Sequence, residues 1–137
     1  MIVCGALLKA NTVRLVVLDG DRASHSRLAE KVNKLELPKN PCQQDVATFL
    51  KEIKGHLQSL SVEKLVMNRR GTTGKMAGGA GTFIMEGLLL SLDICEVDLI
   101  HSATLAATGR REAELKTCQP KTADLAKAYD LAFESLL

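Results

Sequence analysis

A strand, a helix and a second strand follow one another between Val62 and Ile100, and this succession constrains the fold more than any other feature. Residues 62–67 (VEKLVM) form a short apolar run, and residues 95–100 (CEVDLI) alternate apolar with acidic side chains. The segment between them continues as an apolar helix from about residue 76 to residue 92. Two strands joined through a helix run parallel in one sheet, with a right-handed crossover in nearly all proteins. The sequence therefore predicts a parallel strand pair in an α/β sheet.

Three further strands are predicted before this unit. Residues 2–8 (IVCGALL) and 13–18 (VRLVVL) are apolar and rich in β-branched side chains, and the polar interval between them contains Asn11. This arrangement is typical of a β-hairpin. Residues 31–37 (KVNKLEL) alternate imperfectly with charged residues and predict a third strand at the edge of the sheet.

The first helix is predicted to begin after residue 39, with Asn40 as its N-cap and Pro41 at its first position. Its apolar residues recur at intervals of three and four, which places them on one stripe that packs on the sheet. They are Val46, Phe49, Leu50, Ile53, Leu57 and Leu60.

The last part of the chain is predicted to be helical at both ends. Residues 101–119 are interpreted as a short helix followed by a loop, with the interruption at Gly109, Arg110 and Arg111. A final helix opens at Pro120 and ends near Leu136. The order β-β-β-α-β-α-β-α predicts an α/β fold with one five-stranded mixed sheet and helices on both faces. A length of 137 residues fits a single domain, residues 1–137.

Composition excludes several classes of protein. Aromatic residues make up only 3% of the chain and there is no Trp, so base-stacking platforms for single-stranded nucleic acid are not expected. A formal net charge of +2 is too small to require a nucleic-acid partner. No run approaches the ~20 apolar residues that a membrane span requires, and no signal peptide is evident. We expect a cytoplasmic protein without a membrane partner.

The cysteines and histidines do not suggest a metal or redox site. Cys4, Cys42, Cys95 and Cys118 are widely spaced, without a CxxC pair, so we expect buried free thiols. The three histidines, His25, His56 and His101, are isolated from other candidate ligands, which favours surface or hydrogen-bonding roles.

A basic, glycine-rich connection, residues 68–81 (NRRGTTGKMAGGAG), leads into the second helix. Its cations, Arg69, Arg70 and Lys75, could contact phosphate at the carboxyl edge of the sheet or could form a solvated basic loop. Both interpretations remain open, and Arg110 and Arg111 are candidate members of the same basic patch. It is not a Walker loop, because Met76 stands where Ser or Thr would hold magnesium. The glycines are better explained by close helix packing than by a ligand.

Three segments carry a resemblance to a known family. They are IVCGALLKANTVRLVVLD at the start, GKMAGGAGTFIMEGLLLSL followed by VDLIHSATL in the middle, and DLAKAYDLAFESL at the end. Together they resemble the Holliday-junction-resolvase branch of the ribonuclease H-like superfamily, and a small bacterial family of unknown function related to it. The resemblance implies a ribonuclease H-like fold.

The resemblance also implies a place for two magnesium ions, held by about four carboxylates from the first strand, the fourth strand and the last helix. Here Leu7 stands at the first-strand position, and the fourth strand ends in Asn68 and Arg69 instead of an acid. In the last helix Asp130 matches the final acid, whereas Lys127 replaces its neighbour. We therefore expect a degenerate metal site, with no metal cofactor and no catalytic residues.

These observations leave three hypotheses. The first is a non-catalytic module for nucleic-acid binding or assembly. The second is a divergent magnesium-dependent nuclease that uses Glu86 and Asp130, with Asp19 and Asp124 as further acids if the register differs. The third is a structural homodimer or protein-partner-binding module, which the glycine-rich helix favours.

Overall fold

The computed structural model describes residues 1–69 and 79–137. The six strands are β1 (Ile2–Lys9), β2 (Thr12–Gly20), β3 (His25–Leu28), β4 (Lys34–Glu36), β5 (Lys64–Asn68) and β6 (Glu96–Ile100). The α-helices are α1 (Gln43–Ser59), α2 (Ala80–Leu90), α3 (Ser102–Glu112) and α4 (Ala123–Glu134), with a short 3-10 turn at Ala113–Leu115. Within the described residues, no helix has both the length and the apolar character needed to span a membrane.

The strands form one mixed sheet in the order β3-β2-β1-β5-β6. β1 pairs antiparallel with β2, and it pairs parallel with β5, where Ala6 lies opposite Met67. β5 and β6 are also parallel, which confirms the predicted strand-helix-strand unit. The predicted start of α2 near residue 76 lies outside the described residues.

The edge of the sheet beside β2 differs from the prediction. β3 pairs with the second half of β2, whereas β4 pairs with its first half. The two strands share one edge position, so the sheet is five strands wide although it contains six strands. A turn separates them, with Ala29 at φ 50° and Val32 45% exposed. The prediction of a continuous strand over residues 31–37 is therefore wrong at its start, because one exposed valine does not anchor a strand.

Two helix boundaries also differ from the predictions. Asn40 has a φ of 54° and lies before helix α1, whose N-cap is Cys42. The backbone N–H of Cys42 donates to Oδ2 of Asp45 at 3.0 Å, so an acidic side chain in the first turn supplies the cap. Helix α3 continues through Gly109 to Glu112, because one glycine weakens a helix without ending it.

The sheet is covered on both faces. Side chains of Cys4, Ala6 and Leu8 pack with α1 and α2 on one face, and those of Val3 and Leu7 pack with α4 on the other. This alternation follows from the two-residue period of strand β1. Because β1 is buried on both faces, helices α2 and α4 lie on opposite sides of the sheet.

Gly5 allows α4 to lie directly on the central strand. A methyl group on residue 5 would lie 1.9 Å from the carbonyl oxygen of Ala128 and 2.8 Å from the amide nitrogen of Ala132. Both neighbours are backbone atoms of α4, so they cannot move out of the way as a side chain would. The absence of a side chain at residue 5 therefore sets the distance between helix and sheet.

We predict that Gly5→Ala lowers the free energy of unfolding by about 3 kcal/mol or prevents folding, because an inserted methyl group must displace α4. Urea unfolding followed by circular dichroism measures the difference. Gly55→Ala is the matched control: residue 55 lies within α1 with open space around it, so Ala should stabilise the protein by up to ~1 kcal/mol. Equal effects of the two substitutions would contradict this account.

Candidate nucleic-acid interface

The carboxyl end of β1 is where the sequence resemblance places the first metal-binding acid. Leu7, which occupies that position, is only 7% exposed and packs in the apolar cluster that contains Val66 of β5 and Ala128 of α4. This position is part of the core beneath α4. A carboxylate here would be buried against apolar groups, which is unfavourable without a compensating partner.

Asn68 at the end of β5 has a structural role in the same region. Its Oδ1 accepts a hydrogen bond from the backbone N–H of Leu8 at 3.0 Å. Since Ala6 lies opposite Met67, this side-chain bond extends the β1–β5 ladder by one step. The next residue, Arg69, donates its backbone N–H to the carbonyl oxygen of Ile100 at 2.9 Å, and its side chain is exposed. The end of β5 is thus bonded to both neighbouring strands.

Helix α4 begins beside the end of β1. Nζ of Lys9 lies 3.4 Å from Oδ1 of Asp124, with the two side chains 68% and 31% exposed. Lys127 follows Asp124 by one helical turn and is exposed. The acid that contacts the end of β1 is therefore Asp124, which pairs with Lys9.

Asp130, which the sequence comparison aligned with the final acid, lies about 9 Å further along the helix axis than Asp124. It accepts a hydrogen bond from Nζ of Lys116 at 2.6 Å, and that ammonium group also lies 5.4 Å from the centre of the Phe133 ring. The Lys116 side chain is only 7% exposed. Asp130 thus neutralises a largely buried cation.

The acids considered for a shared site are not brought together. Asp19 pairs with Ile2 at the amino end of β1, about 23 Å along the strand from Lys9. Glu86 belongs to α2 and Asp130 to α4, on opposite faces of the sheet. Among the residues that the structure describes, no group of three or more His, Cys, Asp or Glu side chains could hold a metal ion.

The predicted basic residues occupy two separate regions. Arg69 lies at the carboxyl end of β5, next to the start of α3. Arg110 and Arg111 are exposed near the far end of α3, about 14 Å along the helix axis from its start. Arg70 and Lys75 lie outside the described residues. The structure therefore does not place Arg110 and Arg111 in one patch with Arg69.

Arg22 lies at the opposite end of the sheet. Its guanidinium donates to Oε2 of Glu112 at the end of α3, and to the carbonyl oxygens of Glu134 and Leu136 at 2.7 and 2.9 Å. The neighbouring Gly20 bonds to Met1 at the start of β1. Arg22 thus holds the last turns of α3 and α4 against the sheet.

A cavity of about 490 Å³ lies between β6 and the carboxyl end of α4. Its charged walls contain the ion pairs Lys64–Asp98 at 3.5 Å and Arg22–Glu134 at 3.9 Å. These charges neutralise one another, so the cavity lacks the net positive charge expected of a phosphate site.

His25 makes the hydrogen bonds expected from the sequence. Its Nε2 lies 2.6 Å from the hydroxyl of Tyr129, and its Nδ1 lies 3.1 Å from the carbonyl oxygen of Asp21. Burial raises the pKa of Tyr129 to about 12. The tyrosine hydroxyl therefore keeps its proton at neutral pH, and the contact joins β3 to α4.

The prediction of four buried thiols is correct only in part. Cys4 is fully buried, and burial raises the pKa of its thiol. Cys95 and Cys118 are half-buried, and Cys42 is exposed at the start of α1. Cys42 is exposed because it occupies the N-cap position and not a core-facing turn of the helix.

Comparisons with known proteins agree with the fold described above. The model of a family described as "Protein of unknown function (DUF3010)" matches residues 1–135. No curated protein matches the sequence. The structure of T. thermophilus RuvC in complex with a Holliday junction substrate is similar, with a TM-score of 0.73 and 15% identity, over 98% of this chain and 91% of that chain.

A second solved structure, the fowlpox virus Holliday junction resolvase, has a TM-score of 0.52 and 11% identity, over 96% of this chain and 94% of that chain. Identities this low establish the fold and not the activity. The predicted ribonuclease H-like, resolvase-like fold is thereby confirmed.

We predict that Asn68→Ala lowers the free energy of unfolding by about 1 kcal/mol, because the N–H of the buried Leu8 loses its acceptor. Asn68→Asp is the control, since a carboxylate oxygen can accept the same bond. Hydrogen exchange at the Leu8 amide should become faster in Asn68→Ala and stay slow in Asn68→Asp. Unchanged exchange in Asn68→Ala would refute this role for the side chain.

Proposed function

The chain belongs to the DUF3010 family of proteins of unknown function, and from its resolvase-like fold we propose that it is a nucleic-acid-binding module without two-metal nuclease activity. The observation that carries this proposal is the charge at the end of β1. Leu7 is buried there, and Asp124 stands between Lys9 and Lys127. This arrangement favours contact with an anion.

The residues present do not fit a pair of magnesium ions. Magnesium prefers several hard oxygen ligands in near-octahedral geometry. Asp124 is the acid in contact with the end of β1, and the ammonium of Lys9 already lies 3.4 Å from its carboxylate. Repulsion between a dication and an ammonium at such a distance is on the order of several kcal/mol where solvent is excluded, and less at an exposed site.

Nucleic acid is the ligand class that this end of the sheet supports best. The T. thermophilus RuvC structure and a second fowlpox virus resolvase structure are both complexes with a Holliday junction substrate. Among the described residues, the exposed cations near the carboxyl ends of β1 and β5 include Lys9, Arg69 and Lys127. Ligands of open α/β sheets bind outside the carboxyl ends of the strands, and lysine and arginine supply affinity for phosphate.

We predict that the protein binds a synthetic four-way DNA junction in the presence of EDTA, and that affinity falls as salt rises. Fluorescence anisotropy with junction, duplex and single-stranded DNA measures this. Arg69→Ala should weaken binding several-fold, whereas Lys51→Ala, an exposed lysine on α1, should not.

No cleavage is expected when magnesium or manganese is added to the same junction. Metal-dependent cleavage that Asp124→Asn or Asp130→Asn abolishes would overturn the non-catalytic proposal. Absence of any nucleic-acid binding would overturn the proposal that the chain is a nucleic-acid-binding module.

A specific observation also favours self-association through α2, as the glycine-rich helix suggested. Leu90 is 48% exposed, and Gly87, one turn earlier on the same side, has open space beside it. A small residue beside a large exposed one allows two helices to approach closely, so we propose a second copy of this chain as the occupant of this face.

We predict that sedimentation equilibrium shows a dimer, and that Leu90→Arg shifts it to monomer because a charge would be buried at the contact. Lys51→Glu on α1 is the control and should leave the association unchanged. A monomer at all concentrations tested would contradict the proposal.

A further inference from the structure

We propose that Lys9 and Lys127 together hold one backbone phosphate of the bound nucleic acid, at the place where a nuclease of this fold would need acids. The inference rests on the proposed function and adds the residues that contact phosphate. Neither lysine belongs to the arginine-rich connection that the sequence first suggested. The observation that joins them is their shared neighbour, Asp124.

The position of Lys9 follows from the strand. Leu7 and Val3, which lie two and six residues before Lys9, pack under α4, and Lys9 continues this side of β1. Its ammonium reaches Asp124 at 3.4 Å, which shows that it lies on the α4 side of the sheet. With 68% of its side chain exposed, Lys9 remains accessible to a ligand.

The position of Lys127 follows from the helix. Residues three apart on a helix are neighbours, with Cβ atoms roughly 5–6 Å apart. Lys127 therefore lies beside Asp124 on α4, and it is exposed. Lys9 contacts the carboxylate of Asp124 from the strand, and Lys127 lies one turn after Asp124 on the helix.

The charges at this point leave one positive charge unbalanced. Asp124 can neutralise only one of the two ammonium groups, and a phosphodiester carries one negative charge. The amino end of α4 adds to the attraction, because its N-cap Thr122 makes no side-chain cap and the helix dipole is positive there. Asp124 acts as a positioning residue that keeps Lys9 turned toward α4.

The test compares two double variants that remove the same charge. Lys9→Ala/Lys127→Ala removes the proposed contact, and Lys31→Ala/Lys51→Ala removes two exposed lysines from other surfaces. Junction affinity is measured by anisotropy over a range of KCl concentrations. All four substitutions are at exposed positions, so the thermal unfolding of both variants should match the wild type.

We predict that Lys9→Ala/Lys127→Ala weakens binding about tenfold, because charge-assisted contacts to phosphate are lost. The slope of log K against log salt should become shallower by about 0.9, the value for one phosphate. The control pair should change affinity less than twofold, and Lys9→Arg/Lys127→Arg should retain most of the binding.

Four results would overturn the inference. Equal losses in the two alanine pairs would mean that only net charge matters. A slope change of about 1.8 would mean that the lysines contact two separate phosphates. Saturable binding of inorganic phosphate to the wild type without DNA, lost in Lys9→Ala/Lys127→Ala, would identify a free anion as the ligand. If the wild type binds no nucleic acid, the proposed function fails and this inference falls with it.

Discussion

The close approach of helix α4 to strand β1 determines how the rest of the molecule is arranged. It is possible because residue 5 is glycine, with backbone atoms of Ala128 and Ala132 where a side chain would be. β1 is hydrogen-bonded to β2 and β5, so fixing α4 on this strand fixes it on the whole sheet. The amino end of α4 then reaches Lys9, and Arg22 holds the last turn at the other end.

This contact also determines the chemistry at the end of β1. Because α4 lies so close, the side chain at residue 7 is enclosed, and leucine fills the space with apolar contacts. Asn68 uses its side chain to extend the strand ladder. The charges near this end include those of Lys9, Arg69, Asp124 and Lys127. The fold is similar to that of the RuvC structure, and the ends of β1 and β5 carry Leu7, Asn68 and Arg69.

The sequence predicted the order of strands and helices because their apolar periods differ, and β5, β6 and the first hairpin agree with those predictions. It did not predict how the elements pack against one another. The family resemblance matched Asp130 with the final metal-binding acid. The close contact of Gly5 with Ala128 instead places Asp124 beside the end of β1. Likewise, no local pattern shows that α3 carries Arg110 and Arg111 away from Arg69. Lys9 was missed because a lone lysine at a strand end resembles any solvated turn residue.

The most direct test of the central claim is a crystal structure of the protein bound to a short DNA junction in the presence of manganese, with anomalous scattering recorded. We expect a DNA phosphate within hydrogen-bonding distance of Lys9 and Lys127, and no anomalous peak at the end of β1. One or two manganese ions bound there, with Asp124 among their ligands, would contradict it.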